Sequence, residues 1–99
     1  MRVLIVEDEA KMAGLLRKGL KQEGIAADHA AKGEDALWMA GSTEYDAIVL
    51  DLMLPGIDGF EVCRRLKSST STHHIPVVIV TALDQQSDRI KGLEAGADD

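Results

Sequence analysis

Residues 45–59 read Y-D-A-I-V-L-D-L-M-L-P-G-I-D-G, a short aliphatic run that ends on a carboxylate and breaks into a proline–glycine loop. A continuous apolar run bounded by turn residues suits a strand covered on both faces, so Ala47 to Leu50 is predicted to be a strand of a parallel sheet between helices. Asp51 then stands where the strand ends. In open α/β sheets the crevice outside the carboxyl ends of the strands is where ligands bind. Pro55-Gly56 and Asp58-Gly59 supply the turn chemistry that carries the chain into the next helix. This window alone fits an ordinary strand-to-loop carboxylate equally well, and the rest of the chain decides.

Working outward, Val3 to Val6 is a second aliphatic run that ends on Glu7-Asp8. The helical pattern after it places Met12, Leu15, Leu16, Gly19 and Leu20 on one apolar stripe, with Gly24 as its stop. Ile25 to Ala30 is half polar through Asp28 and His29, as an edge strand would be. Gly33 to Gly41 reads as a helix with Ala36, Leu37 and Ala40 inward. Gly59 to Ser68 is another, carrying Phe60, Val62, Cys63 and Leu66 at helical spacing and basic residues near its C-terminal end, where they complement the helix dipole. A polar loop, Ser68 to His74, precedes Pro76 and the β-branched run Val77 to Val80, a further strand. Asp84 to Ala95 is predicted to be a fourth helix, closed by Gly96. Strand and helix alternate four times, which implies an α/β, doubly wound parallel sheet with right-handed crossovers.

Ninety-nine residues, 45% hydrophobic and 28% charged, suit one small globular domain spanning 1–99. Eleven basic against seventeen acidic residues give a net charge of −6 with no dense basic run, which argues against nucleic-acid binding by this segment. The single cysteine, Cys63, fits a reducing compartment and reads as a small hydrophobe on the inner face of its helix. No signal peptide or membrane span is legible, so the expected location is cytoplasmic.

Three strand ends carry polar groups: Glu7-Asp8, Asp51 and Thr81. In a flavodoxin-like strand order of 2-1-3-4, the first and third strands flank the topological switch point, so Asp8 and Asp51 converge. Clustered carboxylates repel one another unless a cation intervenes, and Mg²⁺ is the hard dication that two carboxylates and a phosphate typically hold. Helix capping is the alternative reading of Glu7-Asp8, and capping of the following segment that of Thr81. His73 and His74 are expected to be solvated.

V-L-I-V-E-D, I-V-L-D-L-M-L-P-G-I-D-G and I-P-V-V-I-V-T-A followed by G-L-E-A-G-A-D-D, in that order, resemble the receiver domain of bacterial response regulators over the whole chain. The first two thirds is most similar to the winged-helix transcription-factor branch, and the stretch 62–99 also to receivers that control diguanylate cyclases. The resemblance implies that Asp51 is the phosphoacceptor for a sensor histidine kinase or a small phosphodonor. It further implies that Asp8 and Asp51 hold Mg²⁺ directly, Glu7 through water, and Met53 through its backbone carbonyl. Thr81 would donate its hydroxyl to a phosphoryl oxygen. The expected role is a phosphorylation switch for an output absent from this chain, such as transcription, and not a turnover enzyme. An aspartate-nucleophile phosphatase would want a second carboxylate where Met53 stands.

Receivers also continue into a fifth strand, a lysine before a proline, and a fifth helix, which residues 1–99 lack. The expectation is therefore a C-terminally incomplete receiver domain. Its exposed fourth-strand edge and apolar face would be covered by oligomerisation or swapping. The alternative is a folding or interaction fragment without phosphotransfer.

Overall fold

The computed structural model describes residues 1–80. Four strands, β1 (Arg2–Val6), β2 (Ala26–Ala30), β3 (Ala47–Asp51) and β4 (Val77–Val80), alternate with three helices, α1 (Ala10–Gln22), α2 (Gly33–Ser42) and α3 (Gly59–Ser68). All strand pairs are parallel, in the order β2-β1-β3-β4. The predicted doubly wound sheet is thus present, with strand and helix limits within about a residue of those expected. The predicted fourth helix, from Asp84 to Ala95, lies outside the described residues, as does Thr81.

Alternation along the strands divides the sheet into two faces. Leu4, Val6, Ile48, Leu50, Val77 and Ile79 join Ala36, Ala40, Val62, Cys63 and Leu66 in one core under α2 and α3. Cys63 is fully buried there, as its helical spacing predicts. Val3 and Ile5, which are absent from that core, face the other side and are buried too. By register Val49, Val78 and Asp51 with Val80 share that second face. Val78 and Val80 on this face are 38% and 47% exposed.

The stripe on α1 is corrected in the same region. Ala13 is the buried residue of α1, Leu16 and Leu20 are half-buried, and Gly19 lies exposed. Met12 and Leu15 are 43% and 57% exposed. Helical period identifies a stripe, but only the flank that rests on the sheet is buried. Phe60 is likewise half-buried, while Val62, Cys63 and Leu66 carry the inner face of α3.

Side-chain hydrogen bonds fasten the ends of the elements. Asp58 caps α3, its Oδ1 accepting the Glu61 N–H at 2.9 Å. After α3, Thr72 is buried, and its hydroxyl donates to the Leu66 carbonyl at 2.7 Å. Lys67 Nζ donates to the Ile75 carbonyl at 2.9 Å, tying the approach to β4 back to the helix. His73 and His74 are exposed, as expected.

At the N-terminal end of the sheet, Tyr45 is only 5% exposed and its hydroxyl donates to Asp28 Oδ2 at 2.8 Å. Arg2 Nη1 donates to the other oxygen of Asp28 at 2.8 Å, and the Arg2 N–H to Asp46 Oδ2 at 2.7 Å. The Asp28 carboxylate, in the middle of β2, therefore ties the start of β1 to the residues that lead into β3. The Tyr45 hydroxyl, above all, holds the Asp28 carboxyl below its usual range. Burial, aided by that carboxylate, pushes the Tyr45 phenol up to about 12.

Tyr45→Phe is expected to cost about 1.5–3 kcal/mol at neutral pH, the worth of a hydrogen bond to a charged group. The phenol ionises near 10 when unfolded and near 12 when folded. Its stabilising contribution is therefore complete below pH 10 and is lost as pH rises towards 12. Urea unfolding across that range should show the gap between wild type and Tyr45→Phe closing as pH rises; a gap that stays constant would contradict this tie.

Candidate functional site at the carboxyl ends of the first and third strands

The pairing of β1 with β3 ends at Val6 opposite Leu50, so the next residues, Glu7 just past β1 and Asp51 at the end of β3, stand side by side. The chain turns from β1 towards β2 on one side and from β3 towards β4 on the other, which makes this the topological switch point. Glu7, Asp8 and Asp51 each present a carboxylate oxygen, and these oxygens all lie within 4.8 Å of one another. The expected convergence of the strand-end acids is present.

Glu7 and Asp8 do not cap α1. The N-cap is Glu9, which makes no side-chain capping bond. Glu7 Oε1 instead accepts the Glu9 N–H at 3.1 Å, and the Glu7 carbonyl meets His29 Nε2 at 2.6 Å. The local backbone thus holds Glu7 towards Asp51. Burial pushes the Glu7 carboxyl above its usual range, and the charges of Asp51 and Asp8 push the same way against the Glu9 N–H. Three acids brought this close want either a proton or a cation between them. The ion pairs of the described residues lie elsewhere, Arg2 with Asp28 and Arg64 and Arg65 with Glu61.

Asp51 is held from two directions. Its Oδ1 accepts the Met53 N–H at 3.1 Å, which orients the carboxylate at the start of the loop. The Met53 side chain is exposed, consistent with no role for it beyond its backbone. The N-terminus of α3 rests directly on the end of β3: the Gly59 N–H donates to the Leu52 carbonyl at 3.2 Å. A Cβ at Gly59 would lie 2.5 Å from the Asp51 carbonyl oxygen and 2.6 Å from Leu52 Cα. Only a glycine permits this approach, a requirement hidden in the sequence behind the turn reading of Asp58-Gly59. Gly56 turns the loop through φ +75°, and Glu34 of α2 accepts the Ile57 N–H at 3.4 Å. Leu52 and Leu54 anchor the same loop in the core.

A cluster of three oxygen donors suits a hard dication, which takes carboxylate oxygens and keeps room for water and phosphate. The donors are on rigid strand ends and open to solvent on the Asp8 side.

Comparison with known proteins agrees with this geometry. The family model for the response regulator receiver domain matches residues 3–99. The chain is 52% identical over 99 residues to the transcriptional activator protein IrlR of Burkholderia pseudomallei, covering all of this chain and 42% of that protein. It is 49% identical over 98 residues to the response regulator PleD of Caulobacter vibrioides, covering 99% of this chain and 22% of that one. The chain thus spans less than half the length of these curated relatives. Among solved structures, a response regulator from Chloroflexus aurantiacus superposes with a TM-score of 0.94 at 38% identity, over 99% of this chain and 80% of that one. The receiver domain of a sensor histidine kinase from Pseudomonas aeruginosa gives 0.90 at 31% identity over the same shares, and that structure has a magnesium ion coordinated in its active-site cleft. Strand order, acidic cluster and family match agree, and the chain belongs to the response regulator receiver domain family.

Proposed function

We propose that this chain accepts a phosphoryl group on Asp51 and thereby switches an output in a two-component signalling pathway. The observation that carries the reading is the convergence of Glu7, Asp8 and Asp51 within 4.8 Å at the switch point of the sheet. One Asp51 carboxylate oxygen attacks the phosphorus of a histidine kinase's phosphohistidine or of a small acyl phosphate. The new P–O bond makes an aspartyl phosphate, and the donor's P–N or P–O bond breaks with its electron pair leaving on the donor.

Glu7, Asp8 and Asp51, with the Met53 backbone carbonyl, are the residues that would hold Mg²⁺. The ion supplies neutralising charge for the phosphoryl oxygens. The Met53 N–H orients the nucleophile, and the α3 N-terminus packed on β3 fixes its position. Thr81, outside the described residues, is the proposed hydroxyl donor to a phosphoryl oxygen. No helix of the described residues is long and apolar enough to cross a membrane, and the proposed setting is the cytoplasm. The proposed role is a switch that is set and reset, without turnover of a free substrate. The output it is proposed to switch lies outside residues 1–99, with transcription as the example that relatives such as IrlR provide.

Intact-mass measurement after incubation with acetyl phosphate tests this. A gain of one phosphoryl group in the presence of Mg²⁺, abolished by a chelator, is expected. No gain in a sample shown to be folded would overturn the proposal.

A further inference from the structure

The groove between the C-terminal half of α1 and the outer edge of β2 has a volume of about 710 Å³. It lies apart from the acidic cluster and combines two features. Its cationic wall is Arg17, Lys18 and Lys21, and its floor is Ile25, Ala26 and Ala27. Among the described residues none of these three cations makes a close ion pair, although the Arg17 charge acts on Asp28 at longer range. They are grouped on one helix flank of a chain whose net charge is −6.

The floor ends in an open strand edge. The Ala26 N–H donates to the Met1 carbonyl and the Ala30 carbonyl accepts the Glu7 N–H, so even-numbered residues of β2 face β1. Parallel strands alternate these directions, so the N–H and C=O groups of Ala27 and His29 point outward. Sheet edges are commonly blunted by a proline, a bulge or a charge on the strand itself. The register of β2 is unbroken and its outward-bonding positions, Ala27 and His29, carry no proline or carboxylate; the charge on the strand, Asp28, sits at an inward-bonding position and is paired with Arg2 and Tyr45.

We propose that this groove docks an acidic, extended segment of a partner protein, which adds as a strand beside β2. Backbone groups of the segment pair with Ala27 and His29, a recognition mode in which main-chain bonds give affinity and side chains give selectivity. Carboxylates on the face towards α1 meet Arg17, Lys18 and Lys21. Charge also argues against a second copy of this chain as occupant, because edge-to-edge pairing of two β2 strands brings two such cationic walls together. Three cations are too narrow a footprint for a nucleic acid, whose affinity rests on many phosphate contacts.

The test uses the whole chain with isotope-labelled amides and a capped synthetic peptide of alternating threonine and glutamate. The expected result is a shift of the Ala26–Ala30 amide resonances on binding. Affinity should fall at least tenfold with Arg17→Glu/Lys21→Glu, whose fold is checked by circular dichroism. It should also be lost when the peptide is N-methylated at alternate residues, a control that leaves the protein unchanged. Absence of shifts at β2, equal binding of a threonine–lysine peptide, undiminished binding of the N-methylated peptide, or tighter binding of single-stranded DNA or anionic vesicles would each overturn the proposal.

Discussion

Asp51→Asn is expected to reduce phosphoryl uptake from acetyl phosphate to below detection while leaving the fold intact. The substitution keeps the shape of the side chain, and the amide oxygen still accepts the Met53 N–H that now bonds to the carboxylate. What it removes is the anionic nucleophile, and an amide oxygen is a far weaker one. It also removes one of the charges that push the Glu7 carboxyl upward, so repulsion in the cluster falls. The thermal midpoint in the absence of Mg²⁺ should therefore be unchanged or higher. Intact mass read beside a thermal melt separates the two effects. A variant that melts normally and still gains a phosphoryl group would show that Asp51 is not the acceptor.

Gly59→Ala carries the largest expected effect on stability. The added methyl would sit 2.5 Å from the Asp51 carbonyl oxygen and 2.6 Å from Leu52 Cα, and both are backbone atoms that no rotamer change moves aside. Overpacking of a close-packed contact costs about 1–3 kcal/mol and occasionally more, and this contact belongs at the upper end. Against a typical total of about 5–15 kcal/mol, that is a large share of the fold's margin. Gly19→Ala is the contrasting substitution. Gly19 lies in α1 with nothing within 4 Å of its would-be Cβ, so alanine there should stabilise by about 1 kcal/mol through helix propensity alone. Denaturant unfolding of the pair measures both. Because α3 abuts the backbone that carries Asp51, Gly59→Ala should also slow phosphorylation in whatever fraction remains folded. Equal stability of the two variants would contradict the packing described for the end of β3.

Much of this architecture is legible in the sequence because its signals are local. The aliphatic runs Val3 to Val6, Ala47 to Leu50 and Val77 to Val80 are too short for buried helices and are bounded by turn residues. Their order, together with handedness, leaves few sheets to choose from. The acidic cluster follows from the same logic, since Glu7 and Asp51 end neighbouring strands. The inner and outer flanks of α1 were not separable, because Met12, Leu15, Leu16 and Leu20 share one helical period while the sheet buries only part of that stripe.

Long-range partnerships were hidden for a different reason. Tyr45 finds Asp28, Arg2 finds Asp46 and Glu34 finds the Ile57 N–H, across sequence separations of 17, 44 and 23 residues. No periodicity links such pairs. The capping reading of Glu7-Asp8 failed because the helix begins one residue later than a cap at Asp8 requires, which leaves Glu7 free to accept the Glu9 N–H.

Asp51 is the residue proposed to take the phosphoryl group, and chemical trapping tests that directly. The chain is treated with acetyl phosphate and Mg²⁺, the acyl phosphate is reduced with borohydride, and the reduced position is located by peptide mass spectrometry. Reduction at position 51 and nowhere else is the predicted result. Reduction at Asp8 or at another carboxylate, or none in a folded sample, would contradict it.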